Sequence, residues 1–335
     1  MSTLIERALL ARKLVLTVAL WVVAGGCGGA DGGGDSADAS PQAIDAPIVD
    51  PAPVDAADAG PPKPAPPQTV DDWISDHRTR MSLLAYDDHV AIYVDDEVTR
   101  RDADWILPLT SKAFQYAKRT YDPQVQYGPD RLTVFIHQGQ FHGGTISSYF
   151  DEFSDFRNAL DVGADSWVRG DNIDLLFHEM GHIVEGSSNG IHESPAFEVW
   201  SDSKWCEIFQ YDLYLAVGLT ADADRVFARY NAQEDDFPRA GTHWFRDFFH
   251  PAWRDHGKAK VLSSFFRLLS GNFPTEPENN GRNPIYSRRM NLGEFVHFMS
   301  GAAGADLSGL ARTSFGNAFA TQLMKAKTDF SNVTY

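Results

Sequence analysis

Cysteine is scarce in this sequence. Of 335 residues only Cys27 and Cys206 carry thiols, which excludes a disulfide framework and a cysteine-based zinc knuckle. Positive charge is also short: 29 Lys and Arg stand against 46 Asp and Glu, for a formal net charge of −17. So acidic a chain repels a phosphate backbone, so no nucleic acid is expected as a partner. No apolar run after residue 27 is long enough to cross a bilayer as a helix. There is no internal repeat. There is also no glycine-rich phosphate loop after a strand, no Gly-x-Ser-x-Gly elbow and no EF-hand loop. Core material is not lacking, with 8 Trp, 22 Phe and an apolar fraction of 43%.

The N-terminus reads as an address. Arg7, Arg12 and Lys13 form a basic region, and Leu14 to Ala24 is apolar apart from Thr17. That run is too short to span a membrane but suits the core of a secretory signal. Ala24-Gly25-Gly26 then leads into Cys27, as in a bacterial lipobox, although Ala24 stands where Leu is usual. Residues 1–27 are thus expected to be a signal peptide with a lipobox-like cleavage site. Cys27 would be the lipidated residue that anchors the protein to a membrane. The location implied is outside the cytoplasm, as a cell-envelope lipoprotein or a secreted protein. Residues 28–70 hold seven Asp, one Lys and few large apolar side chains. They cannot bury enough surface to offset their ordering entropy and are expected to form a disordered tether. The folded domain would be 71–335, with lobes at roughly 71–186 and 187–335.

Within that domain the first half is mixed. Residues 70–86 have weakly helical spacing, 89–94 and 131–137 read as strands, 104–121 as an amphipathic helix and 145–150 as a third strand. From Asp171 onward the spacing is helical, over 172–185, 195–217, 221–233, 258–269, 292–299 and 307–315. Ser194-Pro195 supplies an N-cap with proline at the first helical position. Trp244, Phe245, Phe248, Phe249 and Trp253 read as core, and Asn279-Asn280-Gly281 as a turn. The fold class expected is α+β, a small twisted sheet with helices followed by a mainly helical C-terminal lobe.

One motif carries chemistry: His178-Glu179-Met180-Gly181-His182. Histidines four apart on a helix lie on one face, one turn apart, so two ring nitrogens can meet one zinc ion at about 2.0–2.1 Å. Glu179 lies one residue further round the helix and can act as general base toward a water made acidic by the metal. A catalytic zinc needs a third protein ligand. The three-histidine reprolysin-like pattern fails, because Glu185 and Ser188 stand where Gly and His would be required. Glu198, in the first turn after Ser194-Pro195, is the leading third ligand, with Glu193 and Glu207 as rivals. Asp202 follows one turn later and could hydrogen-bond the outer nitrogen of a ligand histidine. Cys206, beside Trp205 in a helical pattern, reads as a small buried apolar residue.

The run from His178 through Glu198 to Asp202 resembles the gluzincin peptidases, the thermolysin-like group. The His-Glu-x-Gly-His form is also similar to the enhancin-like, mucin-directed peptidases. The resemblance covers about residues 158–202. It implies a zincin-like fold, zinc as cofactor, and a peptide or protein substrate, glycoproteins included. It also implies that Asn158 and Ala159 hold substrate backbone, although Leu160 replaces the family's aromatic residue. The same group supplies a His or Tyr to steady the oxyanion. His243 is the counterpart expected here, with Tyr214 and Tyr286 as alternatives. The function implied is zinc-dependent peptide-bond hydrolysis. The alternative is a cell-surface protein- or glycan-binding lipoprotein on a zincin scaffold with little or no catalysis, against which the intact Glu179 speaks.

Overall fold

The computed structural model describes residues 63–74, 79–124, 127–201, 204–278 and 283–335. The expected signal peptide, Cys27 and most of the expected tether lie outside the described residues, as do Asp202 and the 279–281 turn. The end of that tether belongs to the fold. Arg131 donates to the carbonyls of Pro64 (2.8 Å) and Lys63 (3.2 Å), and the Tyr93 hydroxyl donates to that of Pro67 (3.0 Å).

Six strands form one mixed sheet. They are β1 (Thr69–Asp71), β2 (Arg80–Tyr86), β3 (Val90–Val94), β4 (Leu132–Gln138), β5 (Gly143–Ser147) and β6 (Ala159–Ala164). Their order is β1-β2-β3-β4-β6-β5. β3, β4 and β6 run parallel, and the other pairings are antiparallel. A parallel step needs a long crossover, and between β3 and β4 it is supplied by α1 (Arg100–Ala103) and α2 (Ile106–Tyr121).

The helical expectation over 70–86 is corrected to two strands. A bulge between Leu83 and Ala85 breaks the alternation of β2. Met81 and Leu83 join the cluster on one face of the sheet, while Leu84 and Ala85, adjacent in sequence, both join the core on the other. Adjacent apolar residues at a bulge hide the two-residue period of a strand.

Alternation elsewhere is regular. Val90, Ile92 and Val94 of β3, Leu132, Val134 and Ile136 of β4, and Leu160 and Val162 of β6 enter the main core. Ala91, Tyr93, Phe135 and Ala159 turn to the opposite face, where they pack with Met81 and are flanked by Trp73 and Ile74. The main core runs without a break from Leu84 to Val333, so one core joins the two halves expected as lobes.

The second half is helical apart from a hairpin of β7 (Thr275–Pro277) and β8 (Pro284–Tyr286). Its helices are α3 (Asn172–Ser187), α4 (Phe197–Trp200), α5 (Lys204–Ala216), α6 (Thr220–Ala232), α7 (His250–Asp255), α8 (Ala259–Asn272), α9 (Leu292–Ala303), α10 (Ser308–Phe315) and α11 (Ala320–Asp329). A π-helical turn over Phe245–Phe249 runs into α7. The single helix expected over 195–217 is broken: Ser201 sits at φ 53°, ψ −163°, between α4 and α5. The aromatic run from Trp244 to Trp253 is buried, as its composition implied. Among the described residues no helix is long and apolar enough to cross a membrane.

His192 ties the hairpin to the loop after β5. Its Nε2 lies 3.2 Å from Asp151 Oδ1 and its Nδ1 2.7 Å from Glu278 Oε1. Burial by itself lowers the pKa of this imidazole, but the hydrogen bonds and charges of Asp151 and Glu278 outweigh that and push it up to about 9. The folded state therefore favours the protonated ring. The pin contributes fully below the ordinary value of 6.5, weakens as pH rises and is lost as pH passes about 9. The urea-unfolding midpoint should fall over that window, and the fall should be smaller in His192→Gln. Equal slopes in the two proteins would remove the pin from the account.

Candidate metal centre

The site grows out of α3. Ile173, Leu176, Phe177, Met180, Ile183 and Val184 are buried at the three- and four-residue spacing of a core-facing helix. The helix is covered almost all round. The partly accessible positions along it are Asn172, Leu175, His178, His182 and Gly186, a single stripe on one face. Both histidines of the motif therefore sit on the open side of an otherwise buried helix. Asp174, in the first turn, is clamped by both terminal nitrogens of Arg225 at 2.7 Å and by the Tyr214 hydroxyl. A carboxylate there also complements the helix dipole.

His178 Nε2 and His182 Nε2 are 3.2 Å apart, with the ring planes at 79°. Two nitrogens bound to one tetrahedral zinc at about 2.0–2.1 Å would stand roughly 3.3–3.4 Å from each other, so the pair fits a shared ion. The outer nitrogen of His182, Nδ1, faces Glu185 Oε2 at 3.3 Å. The other oxygen of Glu185 accepts from Trp200 Nε1 at 2.5 Å. A carboxylate behind a ligand histidine fixes its tautomer and its aim. Sequence reasoning assigned that place to Asp202 and passed over Glu185. The signal was available in Glu185 following His182 by three residues, on the same side of the helix.

Glu179 is 5% exposed and lies against β5. A Cβ placed on Gly144 would come within 2.5 Å of Glu179 Oε1 and Cγ. Gly144 thus lets the carboxylate lie flat on the strand. Among the described residues β5 pairs only with β6 and forms the edge of the sheet beside α3.

Of the expected third ligands, Glu198 is not brought to the histidine pair. Its side chain is 70% exposed, with Oε1 3.9 Å from Arg289 Nε. Glu193 also pairs with Arg289, at 2.9 Å. Glu207 is buried beside Lys204 and Gln233, and its pKa is pushed up to about 7, chiefly by burial. The third donor within reach among the described residues is Cys206, whose ligand atom groups with those of His178 and His182 inside 4.8 Å. Its Sγ is 3.7 Å from His182 Nδ1 and 3.8 Å from Nε2. The thiol is wholly buried under Gly181, where a Cβ would meet Sγ at 2.9 Å. Burial pushes its pKa up to about 12.

Two further expectations are corrected. Asn158 is buried, and its amide links two loops: Oδ1 accepts from the Tyr149 N–H at 2.7 Å and Nδ2 donates to the Tyr127 carbonyl at 2.5 Å. Ala159 opens β6, which is paired on both sides, to Thr133 in β4 and to Ser147 in β5. The Asn158 amide and the Ala159 backbone are thus taken up within the fold, whereas β5 has a free edge among the described residues. His243 is 8% exposed and contacts Glu234 Oε1 at 3.6 Å through Nε2. Tyr214 is engaged by Asp174, and Tyr286 is buried against Phe273. A cavity of about 260 Å³ opens beside Trp200, lined also by Ser201, Lys204, Asp235 and Trp244.

If Glu185 aims His182, Glu185→Ala should weaken zinc binding by about 10–100-fold while leaving the helical circular dichroism unchanged. Competition with a chromophoric chelator measures this, and an unaltered affinity would remove Glu185 from the centre. The chain matches no family model, and no curated protein matches it.

Proposed function

We propose that the protein is a zinc metallopeptidase of the gluzincin type on a zincin-like fold, carried outside the cytoplasm and anchored through Cys27. The observation that supports this best is the 3.2 Å separation of the His178 and His182 ring nitrogens on the open stripe of α3. His178 and His182 would hold the ion, with a third protein donor from residues 198–206. Both ends of that segment reach α3, through Trp200 on Glu185 and Cys206 on His182. Zinc content of Glu198→Gln, Asp202→Asn and Cys206→Ser assigns the donor.

When bound, zinc supplies Lewis acidity toward water and toward a carbonyl oxygen. The protein's own groups do the rest. An extended peptide adds to the free edge of β5 by main-chain hydrogen bonds, which presents its scissile carbonyl to the stripe on α3. Glu179 takes the proton from the attacking water and returns it to the departing amide nitrogen, so one carboxylate serves as base and then as acid. Its low exposure keeps competing water away from that transfer. The acid-rich surface, with a net charge of −17, favours neutral or cationic substrates.

Glu179→Gln should bind zinc as wild type does and cleave a peptide library roughly 10²–10⁴-fold more slowly. Zinc-loaded wild-type protein that turns over no peptide would overturn the peptidase reading in favour of a surface binding protein. Gly144→Ala is a finer test. Its new methyl displaces the Glu179 carboxylate, and a misplacement of about 1 Å costs on the order of 10²-fold in rate. We expect kcat to fall while zinc content and thermal stability hold. Wild-type kcat in that variant would mean that Gly144 does not position Glu179.

A further inference from the structure

The far face of the sheet, away from α3, carries a second group of side chains of the kinds that ligate metals. Alternation along β4 places His137 beside Phe135 on that face, and alternation along β6 places Asp161 there beside Ala159. Asp72, just after β1, and Asp95, just after β3, close over them. His137 and Asp72 are wholly inaccessible and Asp95 and Asp161 nearly so, so one imidazole lies buried among three carboxylates, a group whose charge must be compensated by proton or metal.

The donors converge. His137 Nε2 is 3.1 Å from Asp161 Oδ1 and 3.6 Å from Asp72 Oδ2, and the three ligand atoms lie within 4.8 Å of one another. Bonds of about 2.0–2.2 Å to a tetrahedral ion set ligand atoms roughly 3.3–3.6 Å apart, which these distances bracket. Asp72 and His137 are also held in place from behind. The remaining oxygen of Asp72, Oδ1, accepts from the Ile74 N–H at 2.9 Å, which turns Oδ2 inward. His137 Nδ1 faces Asp95 Oδ2 at 3.4 Å, and Asp95 is fixed by the Glu97 and Gln138 N–H groups at 3.1 Å each. This is the arrangement of a ligand histidine backed by a carboxylate.

We propose that Asp72, His137 and Asp161 form a second, structural site for a divalent transition ion such as zinc, with Asp95 as the positioning residue behind His137. The four side chains are almost wholly inaccessible and leave no room for substrate, so the work of the site is to lock β1, β4 and β6 together on a face where, among the described residues, a small apolar cluster packs.

The test separates this site from the one on α3. In a His178→Ala/His182→Ala variant, loaded with zinc and then desalted, we expect about one equivalent to remain by elemental analysis, and its removal by a chelator to lower the melting temperature. Adding Asp161→Asn, which keeps the side-chain shape, should abolish the retained ion. X-ray absorption on the histidine double variant gives an independent reading that needs no change to the second group. A shell of imidazole nitrogen and oxygen without sulfur is expected. No retained zinc in the double variant, retention undiminished by Asp161→Asn, or a sulfur-containing shell would each overturn the proposal.

Discussion

An ion held by two imidazoles one turn apart can meet a further donor from another element only if the helix that carries them cannot roll or slide. Much of the fold serves that constraint on α3. Its apolar sides are held in the main core, and α5 approaches so closely that Trp205 Nε1 donates to the Gly181 carbonyl at 3.2 Å. Gly181, inside the motif, is what permits this, since a side chain there would meet Cys206 and Phe209 within about 3 Å. The N-terminal turn is clamped through Asp174 by Arg225 and Tyr214, and the C-terminal turn through Glu185 by Trp200. What stays open is one stripe, and both histidines are on it.

The sheet divides the molecule's chemistry between its faces. On one side it floors the main core and, through Gly144 of β5, its edge strand among the described residues, lies against Glu179. On the other side a small apolar cluster packs among the described residues, and a buried histidine stands beside it among carboxylates. The same two-residue period produces both outcomes: Val134 and Ile136 point into the core, while Phe135 and His137 point away from it. Strand order matters as much as pattern. Because β5 lies at the edge beyond β6, Gly143 to Ser147 and not Asn158-Ala159 borders the site.

The regular parts of this fold were legible in the sequence. Ranges 104–121, 172–185, 221–233 and 292–299 lie within about four residues of the observed α2, α3, α6 and α9, and the strands β3 and β4 match closely. What escaped has physical causes. A bulge hid β2, a single left-handed residue, Ser201, split a long apolar period into α4 and α5, and β6 gave no period because it is buried on both faces. At the site, the residues on one helix were readable because their spacing is their geometry. Partners from elsewhere were not: Glu198 turns to Arg289 because the break at Ser201 reorients the short α4, and Gly144 and Asp72 meet their neighbours only through sheet topology.

The central claim is that His178 and His182 hold a metal ion between them. Zinc content of wild type and of His182→Ala, loaded and desalted side by side, tests it most directly. The account predicts that the substitution removes one equivalent from each chain with no change in fold. Equal zinc in the two proteins, or none in the wild type, would contradict it.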